Sequence, residues 1–130
     1  MDGKRTWLDW PLTRILPAAW CMATIWWLSD RSTFPRPPGD WLDWNILAHF
    51  GIFGTLGITL WFGLGMNSRL SERERSIYAI ALAVAYGMLD EFHQRYTPGR
   101  SSDPFDVLVD FLGATTFVLV IPRLYDRFAR

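Results

Sequence analysis

Four apolar stretches, divided by polar connections, set the expected fold. Ile46 to Met66 is a run of 21 residues whose only ionisable group is His49, long enough to cross a bilayer unaided. Ile15 to Leu28 is shorter, and gains length from Leu12 and from Trp7, Trp10, Trp26 and Trp27. Tryptophans flanking an apolar run suit the two membrane–water interfaces. Ile77 to Leu89 and Phe111 to Ile121 are apolar too, but each must recruit polar neighbours to span. The pattern therefore predicts an all-α integral membrane protein, a four-transmembrane-helix bundle in a single domain of 130 residues. Trp26-Trp27-Leu28-Ser29-Asp30 offers no small-x-small cleavage site, so the first segment reads as a retained helix. Pro17 should kink it, because its missing N–H removes a ladder bond.

The connections carry their own signals. Pro35, Pro37, Pro38 and Gly39 predict an irregular first loop, with Trp41 and Trp44 resting on the membrane surface. Ser71 followed by Glu74 is a capping-box pattern that starts the third helix. Thr97-Pro98-Gly99 predicts a turn, and Ser102 or Asp103 before Pro104 can cap the fourth helix. Gly51, Gly54 and Gly57 recur every third residue, as a row that admits a close helix neighbour or as a loosely packed face.

Charge orients the bundle. Lys4, Arg5, Arg14, Arg69, Arg73, Arg75, Arg123, Arg127 and Arg130 fall on one side, and Arg31, Arg36, Arg95 and Arg100 on the other. Nine cations against four place both termini in the cytoplasm of a multi-pass protein of the cell membrane. Asp30, Asp40, Asp43, Asp90, Glu91, Asp103, Asp106 and Asp110 lie on the outward side. Net charge is zero, which gives no argument for a nucleic-acid partner. Cys21 is a lone packing residue.

The acidic residues change the picture because of their depth. Asp90 stands fifteen residues beyond Arg75, a rise of roughly 22 Å in a hydrocarbon core about 30 Å thick. Asp110, Asp106, His93 and His49 come out at similar heights, roughly 20–27 Å from the cytoplasmic ends. The third and fourth helices thus span only with these groups embedded. Asp90, His93 and Gln94 share one helix face, as do Asp103, Asp106 and Asp110. A carboxylate facing lipid is costly, so both faces should turn towards a polar cavity. Arg100, brought back by the Pro98-Gly99 turn, is expected to pair with Asp90 or to share a ligand with it, with His93 beside them. Glu91 points about 100° from Asp90 and is expected to pair with Arg95. The same residues read as ion-paired glue would need no ligand, though polar contacts between membrane helices contribute only about 0.6 kcal/mol on average. Asp30, Asp40 and Asp43 read as solvated loop charges.

Asp90-Glu91-Phe92-His93-Gln94, Thr97-Pro98-Gly99-Arg100, Asp106 and Gly113 resemble the VanZ-like family, with His49-Phe50 similar to its upstream histidine. The resemblance covers roughly residues 43 to 114, and the first helix carries no motif. Where the family has Asp-Lys before that histidine, this chain has Asn45-Ile46, with Asp43 nearby as a partial substitute. Asp110 stands where the family has Asn or Asp. The resemblance implies the bacterial cell envelope and a link to teicoplanin resistance, and no particular reaction.

Three functions follow. A binding or accessory protein would hold a lipid headgroup, an envelope glycan or a glycopeptide-related ligand through His49, Asp90, Glu91, His93, Gln94, Arg100, Asp106 and Asp110. A hydrolase or transferase acting on a lipid-linked or phosphorylated substrate would draw its acid–base groups from Asp90, His93, Asp106 and His49. A small transporter ranks last, because an inverted dimer needs a weaker orientation bias. The binding reading stands ahead because no complete catalytic set can be named. Membrane lipids and a second copy of the chain are the other expected partners. A divalent metal held by two carboxylates and one or two histidines is chemically feasible, although the spacing matches no recognised metal signature.

Overall fold

A computed structural model of the chain describes residues 10–31 and 44–130. The readings of Lys4, Arg5, Trp7, Arg36, the Pro35–Gly39 loop, Asp40, Trp41 and Asp43 lie outside those residues. The described residues form four helices: α1 (Pro11–Ser29), α2 (Trp44–Leu64), α3 (Glu72–Gln94) and α4 (Pro104–Phe128).

Local chemistry sets the boundaries. Pro11 and Pro104 each open a helix, where their missing N–H costs nothing. Ser71 and Glu74 form the reciprocal capping box: the Ser71 hydroxyl accepts from the Glu74 N–H at 3.2 Å, and the Glu74 carboxylate from the Ser71 N–H at 2.9 Å. Asp103 caps α4 by accepting from the Phe105 N–H at 2.9 Å. Between α3 and α4, the Arg100 N–H closes a turn on the Thr97 carbonyl, with Gly99 at φ 78°. Glycine meets the positive φ that this position of a type II turn requires, after proline. Pro17 lies inside α1 without ending it.

Contacts between elements show an up-down-up-down bundle. Arg14 in the first turns of α1 meets the end of α2, and Cys21 meets Ile52, so these helices are antiparallel. Tyr86 donates to the Met22 carbonyl at 2.7 Å and Gln94 meets Ser29, so α1 and α3 run parallel. Helices α2 and α4 also run parallel and make the most extensive contact in the fold, whereas α1 and α4 do not meet among the described residues.

Small residues set how near α2 and α4 come. A Cβ on Gly113 would overlap the Phe50 carbonyl, and one on Gly57 would lie 3.0 Å from the Ala114 Cα. Gly54 faces the Phe117 ring. Of the row along α2, Gly54 and Gly57 therefore serve close packing, whereas a Cβ on Gly51 would meet nothing. On α3, Ala79, Ala83 and Gly87 repeat every fourth residue and are all buried.

The distribution of polarity is inside-out. Trp10, Leu12, Leu16, Trp20, Met88 and Phe105 are more than half exposed. Asp90, Glu91, Asp106 and Asp110 are at most 5 % exposed, and Asp110, like Phe53 and Leu56, is fully buried. Two helices, α2 and α4, are long and apolar enough to cross a membrane. The fourth apolar stretch reaches that length, as expected, by taking in polar neighbours: its helix runs 25 residues from Pro104 to Phe128 and includes Asp106 and Asp110. Neither α1 nor α3 is long and apolar enough, and α3 opens on Glu72, Arg73, Glu74 and Arg75.

A direct check of the α2–α4 contact follows. Gly113→Ala should destabilise the purified protein by about 1–3 kcal/mol, as overpacked contacts do, while Gly51→Ala should be near neutral. Melting temperatures in one detergent compare the two. Equal melting temperatures would show that the helices do not approach this closely.

Candidate functional site

The parallel pairing of α2 and α4 places residues 61 apart side by side, one helical turn between rungs. On the outer rung, the Asn45 side-chain amide donates to both Asp106 oxygens, at 3.0 and 3.1 Å. On the inner rung, His49 Nδ1 lies 2.8 Å from Asp110 Oδ1. An ionised carboxylate only accepts, so with Asp110 ionised Nδ1 would carry the proton there; Nε2 faces Asp106 Oδ2 at 3.5 Å. The histidine ring is also fixed by the parallel ring of Phe53, centroids 5.9 Å apart.

Helix α3 closes this pair from the other side. A Cβ on Gly87 would come within 2.5 Å of Asp110 Oδ2, so glycine is what lets that carboxylate fit. Asp110 Oδ2 itself has no hydrogen-bond partner. Glu91, four residues after Gly87, turns into the same region. Its Oε2 accepts the Asp103 N–H at 2.8 Å, and its Oε1 is buried without a partner. One oxygen each from Glu91 and Asp106 and a ring nitrogen of His49 lie within 4.8 Å of one another, close enough to hold a metal ion.

A second cluster ties α1 to α3. The Asp90 carboxylate accepts from the Ser29 hydroxyl and, at 3.0 Å, from the Gln94 amide. The Thr97 hydroxyl donates to the Ser29 carbonyl at 3.1 Å, drawing the turn after α3 onto the end of α1. At the rim, the His93 ring stacks on Trp26 with centroids 3.9 Å apart, and its Nε2 lies 2.9 Å from Asp30 Oδ1. Beside Glu91, a groove of about 440 Å³ opens between α3 and α4, walled by Met88, Phe92, Pro104 and Val107, with Arg95 and Ser102 at its edge.

Four sequence expectations are corrected by this arrangement. Asp90 does not pair with Arg100: its oxygens are taken by Ser29 and Gln94, and no ion pair joins it to a cation among the described residues. Asp90 and Gln94 keep a common buried face, but His93 leaves it for Trp26 and Asp30. Glu91 does not pair with Arg95 either. It points inward, because the Asp103 N–H at the start of α4 lacks an intrahelical acceptor and the Glu91 carboxylate supplies one. The Arg95 guanidinium instead reaches Ser102 at 3.4 Å. On α4, Asp106 and Asp110 are buried, whereas Asp103 is an exposed cap.

Sequence reasoning missed Ser29 and Asn45. No spacing rule relates Ser29 to Asp90, which are 61 residues apart. Asn45 did carry a signal, since it stands four residues before His49 on the same helix face. Asp30 is not only a loop charge, because it partners His93.

A family model described as VanZ/LLP1 matches residues 11–125, a span that includes α1 as well as the motif region. No curated protein and no solved structure matches the chain.

The Ser29–Asp90 contact yields a stability test. Ser29→Ala leaves a buried carboxylate short of a donor and should cost about 1–3 kcal/mol. Combined with Asp90→Asn, the loss should be smaller than the sum of the two single losses, because the pair is coupled. Additive losses in thermal denaturation would mean that the two side chains do not meet.

Proposed function

The chain belongs to the VanZ-like family, and from that membership we propose a multi-pass cell-envelope protein that binds an amphiphilic, lipid-linked ligand at its outward end. All four helices cross the membrane in this reading, with both termini in the cytoplasm. The exposed apolar side chains of every helix then meet lipid, and the buried carboxylates turn inward as intramembrane charges must. The hydroxyls of Thr24, Thr55, Thr59 and Thr116 donate to carbonyls of their own helices, as a lipid-facing hydroxyl requires. At the opposite end, Arg14 and Arg75 donate to the Phe62 and Trp61 carbonyls and lie over those rings, suiting the cytoplasmic interface.

One observation carries the ligand assignment. Glu91 belongs both to the apolar groove and to the buried polar cluster. A ligand lying there would set its hydrocarbon against Met88, Phe92 and Val107 and bring its polar head to Glu91 and Arg95. A soluble glycan would leave those apolar walls unused. Teicoplanin resistance would then follow from handling an envelope lipid intermediate.

A second reading, a hydrolase or transferase at the same site, is favoured by the His49–Asp110 pair. A carboxylate on Nδ1 orients an imidazole so that Nε2 can act as a base. Under that reading, Asp110→Asn would retain ligand and lose turnover.

The binding proposal is tested on detergent-purified protein with a polyprenyl phosphate as probe. Thermal stabilisation should rise with probe concentration, and Val107→Trp, which fills the groove, should weaken binding at least about tenfold, or 1.4 kcal/mol. Unchanged binding by a Val107→Trp protein of normal melting temperature would remove the ligand from the groove. Topology is tested separately, in a Cys21→Ser background. Arg100→Cys should label from outside the cell with an impermeant thiol reagent, and Arg73→Cys only after permeabilisation. Labelling of both from one side would rule out the four-crossing arrangement.

A further inference from the structure

We propose that His49, Glu91 and Asp106 form a site for a single divalent transition-metal ion, with Asp110 and Asn45 fixing its ligands. The three donors come from three helices and lie within 4.8 Å of one another. Zinc bonds to imidazole and carboxylate of about 2.0–2.2 Å set tetrahedral donors roughly 3.3–3.6 Å apart, so side-chain rotations would draw the three donors onto one ion.

Three features separate this cluster from a chance gathering of acids. The first is that each donor is already held by another group. His49 Nδ1 is engaged with Asp110, which leaves Nε2 as the coordinating nitrogen. Asn45 donates to Asp106, and the Asp103 N–H to Glu91 Oε2. Outer partners of this kind set ligand orientation in metal centres, and a carboxylate behind a ligating histidine is a recurrent one.

The second feature is the unpartnered oxygen. Glu91 is 5 % exposed, and its Oε1 has no hydrogen-bond partner. A buried carboxylate oxygen left so is costly, and normally finds a donor or a cation. The third is charge. Among the described residues, the ion pairs of Asp106 and Asp110 both run to the one imidazole. The two ligating carboxylates carry two negative charges between them, which a divalent ion cancels with His49 neutral.

The donor set narrows the metal. One imidazole and two carboxylates suit a borderline ion such as Zn²⁺ or Mn²⁺, whereas Ca²⁺ prefers oxygen ligands alone. Three protein ligands leave at least one position open, the pattern of reactive rather than structural sites. Because Glu91 also lines the groove, that position would accept a phosphate or hydroxyl oxygen of the ligand. This last step rests on the amphiphile reading, but metal binding itself does not.

The test uses the full chain in detergent, stripped with a chelator and titrated with Zn²⁺, with elemental analysis of the loaded protein. About one zinc per chain should remain after dialysis. Glu91→Gln and Asp106→Asn should each weaken binding at least about tenfold, and Asp110→Asn about 10–100-fold. Asp30→Asn, which removes a charge at the same end of the bundle, should bind as the wild type does. Helical content and melting temperature of the stripped proteins identify any variant that fails to fold, and the remaining variants then decide. No retained zinc, or equal affinity in folded Glu91→Gln and Asp106→Asn proteins, overturns the site. If a polyprenyl phosphate still binds such a protein, the groove reading survives alone. Zinc retained as expected without polyprenyl phosphate binding upholds the site and overturns the groove reading.

Discussion

Helices α2 and α4 can approach as they do only because glycine stands at 113 against the Phe50 carbonyl and at 57 against Ala114. No water competes for apolar surface between membrane helices, so close van der Waals packing and polar contacts must hold them together. The approach fixes the register of the parallel pair, and the register fixes the chemistry. Asn45 meets Asp106 and His49 meets Asp110 because both pairs share one offset. A slip by one turn would set His49 opposite Asp106 alone and leave Asp110 buried without any partner. Parallel alignment has an electrostatic consequence too. The positive ends of both helix dipoles converge on the region of Asp106, where negative charge is favoured.

Glycine serves a different purpose at position 87. Its missing Cβ creates the space into which the Asp110 carboxylate projects from the facing helix. The fully buried Asp110 therefore depends on residues of three helices: Gly113 for the approach, His49 for a proton donor and Gly87 for room. Such mutual dependence explains how an apolar bundle tolerates this many carboxylates at one end. Each of Asp90, Glu91, Asp106 and Asp110 has at least one specific donor, whether a hydroxyl, an amide, a ring N–H or a helix-terminal N–H. Only Glu91 Oε1 and Asp110 Oδ2 fall outside that scheme.

Features governed by local physics were legible in the sequence. The Ser71–Glu74 box, the Gly99 turn and the Asp103 cap depend on neighbours within a few residues, and each forms as its spacing implies. The depth argument also drew the ionisable residues to one end, because helical rise is a fixed quantity. What the sequence could not supply was partnership across helices. Helical periodicity placed Glu91 away from Asp90, which is true, and an i,i+4 rule then offered Arg95. In the bundle, pointing away from Asp90 means pointing at α4, and the Asp103 N–H outcompetes an exposed arginine. Ser29 was invisible for the same reason, since nothing near it in sequence announces a carboxylate partner.

The chemistry of the acidic end turns on sign. Three buried carboxylates, Glu91, Asp106 and Asp110, lie around one imidazole and repel a phosphate, and Arg95 stands at the groove edge. A ligand with a phosphate head would therefore stop at Arg95 unless the negative potential behind Glu91 were cancelled. Protonation could cancel it, but a neutral carboxyl offers only one donor and no fixed direction. A divalent ion at His49, Glu91 and Asp106 would cancel it and supply a directed acceptor for an anionic oxygen. The family's Asp-Lys pair upstream of the histidine is replaced here by Asn45-Ile46, and Asn45 is the residue that holds Asp106 by both oxygens. A lysine ammonium in that vicinity would compete with a metal for the same carboxylates. In the proposed site a divalent ion would take that place, held by three preoriented donors.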